Sequence, residues 1–180
     1  MRVLGEPMPG VLHIEAPVHS DTRGYFMECH HQRKFAALGI AAEFVQDNLS
    51  SSKRGTIRGL HFQLPNAQGK MVFAMRGRIY DVVVDIRRSS SRFAEWASIE
   101  LCEGDGRFLW IPPGFAHGFQ ALSDDTLVLY KVTDFWNADA EHAIRWNDPQ
   151  LGITWPLTDA VVSPKDGAAP RLGELRSLPP

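Results

Sequence analysis

The chain has little of several things that would narrow its chemistry at once. Its two cysteines, Cys29 and Cys102, are too few for a disulfide framework and show no CxxC spacing. The expectation is two buried thiols in a reducing compartment. No apolar stretch approaches the length of a membrane span. No basic segment followed by an apolar run opens the sequence, so no signal peptide is read and the cytoplasm is the default location. A formal net charge of -2 gives no reason to expect a nucleic-acid or membrane partner, although it leaves room for a local basic patch that holds a small anion. There is no internal repeat and no low-complexity tract. Helix signals are sparse: one helix is expected over Gln32 to Leu38, stopped by Gly39, with a turn near Ala138 to Glu141.

What remains is strand. Between Arg78 and Ile86, Tyr80, Val82, Val84 and Ile86 share one face, while Asp81 and Asp85 share the other. Met71 to Met75 precedes this run across Arg76-Gly77, which reads as a hairpin turn. Trp96 to Leu101, Phe108 to Ile111 and Thr126 to Thr133 are further strands. Short strands at regular spacing indicate a sandwich or barrel. A chain of 180 residues is most simply one domain, 1–180, able to bury one sizeable core. From about residue 155 the prolines suggest an extended C-terminal arm, with Gly173 to Pro180 as a frayed tail.

Two segments carry histidines at the ends of such runs. They are Arg58-Gly59-Leu60-His61-Phe62-Gln63 and Trp110-Ile111-Pro112-Pro113-Gly114-Phe115-Ala116-His117-Gly118-Phe119. Period two puts His61 and Gln63 on one face, and buried polar groups there need partners that a polar cavity would supply. His117 follows a tight Pro-Pro-Gly turn that it could instead cap. Lys70 enters a strand and, taken alone, reads as solvated. Tyr130 lies between Val128 and Val132 and, taken alone, reads as core. Arg23, in the turn Asp21-Thr22-Arg23-Gly24, could clamp a phosphate with its planar fork. Tyr25-Phe26, Phe135-Trp136 and Trp155 are either core aromatics or stacking surfaces for a base.

Taken in order, these segments resemble the dTDP-4-dehydrorhamnose 3,5-epimerases of deoxysugar nucleotide biosynthesis. The matching stretches include Asp21 to Glu28, Gln46-Asp47-Asn48, Arg58 to Gln63, Gln68-Gly69-Lys70, Asp81 to Asp85, Trp110 to Phe119, Leu129-Tyr130-Lys131, Arg145 to Pro149 and Ser163-Pro164-Lys165-Asp166. The resemblance covers about residues 1 to 172. It implies an all-β double-stranded β-helix jelly roll, the cupin architecture, with short peripheral helices. It further implies a homodimer with exchanged N-terminal strands. By position, His61 would be the base, Asp166 its dyad partner and Tyr130 the general acid. Lys70 and His117 would line the site, with Lys70 offsetting charge on the ketone oxygen, and Arg58 would lie near the sugar and diphosphate. Arg23, Phe26, Glu28, Gln46 and Asn48 match nucleotide- and diphosphate-binding positions. Phe135-Trp136 stands where many members have two adjacent tyrosines, which keeps stacking but removes two phenols.

The implied chemistry is epimerisation of a nucleotide-linked 4-keto-6-deoxysugar. Loss of a hydrogen beside the ketone gives an enolate, so carbons 3 and 5 are both activated. No redox cofactor is needed. Metal-binding cupins offer two histidines one residue apart, then a glutamate, then a distant histidine. Gln63 occupies the second position here and no glutamate lies between Leu64 and Lys70, so His61 and His117 alone make a poor zinc or iron site. No metal and no cofactor is expected. Three alternatives stand beside this reading: a single-carbon epimerase of an antibiotic or surface sugar pathway, a metal-dependent dioxygenase or isomerase, and a non-catalytic cupin domain that binds or senses a sugar.

Overall fold

Alternating apolar runs fold here into two facing, mostly antiparallel sheets. The computed structural model describes residues 1–180. In chain order the strands are β1 (Arg2–Met8), β2 (Val11–Glu15), β3 (Val18–Asp21), β4 (Gly24–Met27), β5 (Gln46–Ser52), β6 (Thr56–Gln63) and β7 (Lys70–Arg76). They continue with β8 (Arg78–Asp85), β9 (Trp96–Cys102), β10 (Arg107–Ile111), β11 (Phe115–Ala121), β12 (Thr126–Val132), β13 (Glu141–Ala143) and β14 (Val161–Val162). Helix is confined to α1 (Gln32–Ala37), the four-residue α2 (Pro164–Gly167) and one 3-10 turn, Leu172–Glu174. One sheet runs β1-β2-β10-β7-β12-β5 and the other β13-β6-β11-β8-β9, with β14 beside β6. Strands β3 and β4 form a separate hairpin. The result is an all-β jelly roll of the cupin kind.

Three apolar clusters hold it. Between the sheets, Val72, Leu109 and Val128 of the first meet Ile79, Val83, Phe115 and Phe119 of the second. Outside the first sheet, Met71, Phe73 and Phe108 pack against Phe35 and Ile40. Helix α1 has no side-chain cap, and its anchor is Phe35, set against the rings of Phe44 and Phe108. Outside the second sheet, Leu60, Val82, Val84 and Ile86 lie under Ile144, Leu151, Leu172 and Trp155. Both faces of β8 are therefore covered, and the alternation of that strand separates an outer apolar row from an inner row bearing Asp81.

Two expectations need correction. Arg76-Gly77 does not close a hairpin: β7 pairs with β10 and β12, whereas β8 pairs with β9 and β11. Gly77 (φ +75°) turns the chain from one sheet into the other, in a corner where a Cβ would come 2.4 Å from Ser123 Oγ. A turn between sheets has the same glycine signature as a turn between paired strands. The C-terminal segment is also not loose. Ala169 and Leu172 are buried, Leu175 and Leu178 pack on the outer cluster, and Arg88 N–H donates to the Pro179 carbonyl at 2.9 Å. Outside β14 its path has no ladder partners, which its prolines reflect, and its leucines fix it to the sheet.

Candidate active site

Inward-facing side chains of β5, β12 and β7 form one wall of a cavity between the sheets. Register sets Asn48 opposite Tyr130, and Val132 opposite Lys70. The facing wall comes from β6 and β11, where His61 pairs with His117. These two strands meet through glycine. A Cβ on Gly59 would stand 2.6 Å from the His117 carbonyl oxygen, and one on Gly118 would stand 2.7 Å from that of Arg58. The register shifts between His117 and Phe119 at this close approach. The cavity measures about 230 Å³ and is lined by Asn48, Ser50, Arg58, His61, Gln68, Lys70, His117, Phe119, Tyr130, Val132, Trp136 and Glu141. That is below the roughly 300–1,000 Å³ usual for drug-sized ligands. It has room for a sugar ring, but the rest of a nucleotide sugar would lie outside.

Asp166 reaches His61 from far along the chain. Ser163 caps α2 by accepting from Asp166 N–H at 3.0 Å, and Pro164 at the first helical position presets its backbone. The buried Asp166 carboxylate then accepts from His61 Nε2 at 2.6 Å and from Gly59 N–H at 3.4 Å. Burial works against its charge, but the hydrogen bond and the charge of His61 outweigh it, and the carboxyl lies below its ordinary range. With Nε2 held by Asp166, Nδ1 of His61 is the ring nitrogen left to take a proton.

Lys70 Nζ donates to the His61 carbonyl at 3.4 Å. Burial pulls its ammonium down to about 8, against the opposing charges of Glu141 and Asp81. Burial likewise drives the Tyr130 phenol well above its ordinary value; its hydroxyl shares a 3.2 Å hydrogen bond with Ser50 Oγ. The phenol is therefore held protonated at neutral pH. His117 does not cap the turn before it. Its Nε2 meets Asp81 Oδ2 at 2.8 Å, in full burial, while Asp81 Oδ1 has no hydrogen-bond partner. Burial raises the Asp81 carboxyl, with His117 and Lys70 opposing. Arg58 crosses to the other sheet, donating to Ser52 Oγ at 3.0 Å and the Ser51 carbonyl at 2.8 Å.

The structure thus brings together His61, Asp166, Lys70, Tyr130, His117, Arg58, Asn48 and Trp136. Gln46 sits at the rim, bonded to Asn48 Oδ1 and to Trp136 N–H. Phe135 and Trp136 are both more than half exposed and cannot be core. Gln63 does not face the cavity: its side chain is satisfied by the backbone of Asn66, Phe135 and Asn137. Arg23, Phe26 and Glu28 do not reach the cavity of their own chain. Arg23 pairs with Asp21, Glu28 pairs with Lys34, and the Phe26 ring is 71% exposed on the β3–β4 hairpin. Sequence reasoning gave no role to Ser50, Gln68, Asp81 or Glu141, although Gln68 and Asp81 lie in stretches that carry the resemblance. No three His, Cys, Asp or Glu side chains gather where they could hold a metal ion. No helix is long and apolar enough to cross a membrane.

Comparison with known proteins gives this geometry a context. The family model for dTDP-4-dehydrorhamnose 3,5-epimerase matches residues 6–174. A dTDP-4-dehydrorhamnose 3,5-epimerase of Pseudomonas aeruginosa is 50% identical over 161 residues, covering 88% of this chain and 89% of that protein. The crystal structure of dTDP-6-deoxy-D-glucose-3,5-epimerase RmlC from Legionella pneumophila, in complex with dTDP-4-keto-L-rhamnose, superposes with a TM-score of 0.95 at 40% identity, covering 99% of this chain and 97% of that one. NovW, a 4-keto-6-deoxy sugar epimerase from the novobiocin gene cluster of Streptomyces spheroides, superposes with a TM-score of 0.94 at 36% identity, covering 99% of this chain and 92% of that one. With a family match along nearly its whole length and relatives of this identity, the chain belongs to the dTDP-4-dehydrorhamnose 3,5-epimerase family, isomerases that act on carbohydrates.

Proposed function

We propose that His61 and Tyr130 exchange protons with opposite faces of a 4-keto sugar ring held between the two sheets. The substrate is dTDP-4-dehydro-6-deoxy-D-glucose and the product dTDP-4-dehydro-L-rhamnose, by inversion at carbons 3 and 5. His61 Nδ1 takes the proton beside the ketone, and Asp166 holds the ring and stabilises the imidazolium that forms. The Lys70 ammonium meets the charge growing on the ketone oxygen. One such donor contributes about 3 kcal/mol to a transition state. Tyr130 returns a proton from the other side, and exchange with solvent then takes the proton from the His61 imidazolium and restores the Tyr130 phenol before the next inversion. The cycle gains and loses no electrons, so no redox cofactor enters it. The observation that carries this reading is His61 on one sheet, held by Asp166 from α2, and the protonated Tyr130 phenol on the other, with His61 and Tyr130 bordering one cavity.

The nucleotide would lie outside the cavity, along Gln46, Asn48, Phe135 and Trp136. Arg23, Phe26 and Glu28 belong to the same function only if they come from a second copy. Their distance from the cavity of their own chain supports a homodimer in which N-terminal strands are exchanged. A biosynthetic enzyme of this kind would work in the cytoplasm, with a nucleotide sugar as its partner and neither nucleic acid nor membrane. A single-carbon epimerase is the second reading, favoured by Phe135-Trp136 in place of two tyrosines. Incubation with the dTDP keto sugar in deuterated water decides between them. Two carbons that exchange and invert support the 3,5-epimerase. One such carbon supports the second reading, and binding without exchange would leave a sugar-binding domain.

A further inference from the structure

Three consecutive serines end β5, the edge strand of the first sheet, and none of them enters the proton-transfer scheme. Ser51 and Ser52 hold Arg58, through the Ser51 carbonyl at 2.8 Å and Ser52 Oγ at 3.0 Å. Ser50 lines the cavity, and its Oγ lies 3.2 Å from the Tyr130 hydroxyl. This is the only hydrogen bond the phenol makes. We propose that Ser50 is a positioning residue: by donating to the Tyr130 oxygen it leaves the phenol's own hydrogen free for the sugar carbon, and it steadies the phenolate that remains after transfer.

The geometry leaves this task to one group. Packing fixes where the ring lies: it stands 6.1 Å from the His117 ring and 6.3 Å from the Phe119 ring, against the core between the sheets. Packing does not fix the O–H, which turns about the C–O bond. Register places Asn48 opposite Tyr130 and Ser50 opposite Val128, so Ser50 reaches the hydroxyl along the diagonal. The Asn48 Oδ1 is already taken by Gln46. Each of the two hydroxyls has one hydrogen to give and can also accept. A phenol that gave its hydrogen to Ser50 would have none aimed at the sugar, whereas donation by Ser50 leaves it free. Once Tyr130 loses its proton, the bond from Ser50 becomes charge-assisted and roughly twice as strong. An interaction that strengthens as the proton leaves speeds the reaction without tightening substrate binding. The hydrogen bond from Ser50 and the charge of Arg58 both act against the burial that raises the phenol. Adjacent serines of one strand therefore hold the two groups that ease formation of the phenolate.

The test follows the dTDP keto sugar in deuterated water by proton NMR, which reads deuterium entering recovered substrate and inverted product together. Ser50→Ala should lower kcat for inversion about tenfold, the scale of one hydrogen bond to a charged group, with KM unchanged. Deuterium entry through His61 should hold, which also reports that the cavity of the variant is intact. Ser50→Thr keeps the hydroxyl and suits a strand, and it should recover most of the loss. In a Tyr130→Phe background Ser50→Ala should have no further effect, because the group it serves is gone. Exchange and inversion falling together, equal losses in the alanine and threonine variants, or the same loss in the Tyr130→Phe background would each overturn the proposal. It rests on the epimerase reading. An unsubstituted protein that neither exchanges nor inverts would defeat that reading, whereas turnover untouched by Ser50→Ala would defeat only the role of Ser50.

Discussion

Tyr130→Phe separates proton removal from inversion. The substitution keeps the ring, which lies 6.1 Å from that of His117 and 6.3 Å from that of Phe119, and removes one hydroxyl. The structural cost is the 3.2 Å bond to Ser50, which amounts to about 1 kcal/mol. For a domain of this size that lowers Tm by about 2–4 °C, so the variant remains folded at assay temperature. The catalytic cost should be much larger. A positioned acid contributes about 100- to 10,000-fold, or about 3 to 6 kcal/mol at about 1.4 kcal/mol per decade. His61, Asp166 and Lys70 are untouched, so the enolate still forms and His61 can return the proton to its own face. In deuterated water the recovered substrate should still gain deuterium, at a rate within about tenfold of the unsubstituted protein, while inverted product falls at least about 100-fold. Proton NMR reads both in one tube. Exchange and inversion falling in proportion, or neither falling, would remove Tyr130 as the opposite-face acid.

Asp166→Asn replaces an acceptor by a group whose amide can donate to Nε2 and drive the proton to Nδ1. Turnover and exchange should both fall about 1,000-fold or more with KM little changed; steady-state kinetics showing less than a tenfold loss in folded protein would refute the dyad. His61→Ala should lose at least about 100-fold in turnover while nucleotide affinity, measured by calorimetry with dTDP, holds. Activity should survive exhaustive chelation, and loss restored by one divalent ion would place the protein among metal-dependent cupins. Deletion of residues 173–180 strips Leu175 and Leu178 from the outer cluster and should cost about 2 kcal/mol, seen as a Tm lower by about 4–8 °C; an unchanged melt would mean that the tail contributes nothing.

Local pattern carried the sheet faces well. The alternation of β8 is legible because an outer apolar row and an inner row containing Asp81 follow directly from period two. Topology was less legible. Gly77 marks a turn in either case, and only long-range pairing decides whether β7 and β8 are neighbours. The site was divided in the same way. His61 and His117 stand out beside their glycines, yet Lys70 and Tyr130 look like a surface lysine and a core tyrosine until the facing wall is known. Asp166 has no local signature, since its partner lies 105 residues away, and only the resemblance pointed to it. Glu141 and Ser50 acquire meaning solely from what the fold puts opposite them.

That 105-residue separation has a consequence for the order of assembly. The loop closing His61 onto Asp166 contains β7 to β14, so its ends meet only after most of the second sheet has formed. A contact of such high sequence separation becomes favourable only once the intervening strands have paired and shortened the effective loop, which favours late docking. The base would then be the last part of the molecule to become competent. A chain caught with its sheets paired and α2 undocked would have a cavity with Lys70, His117 and Tyr130 in place, and an unguided imidazole. It could capture a nucleotide sugar before it could turn one over, so binding and turnover report two separate stages of maturation.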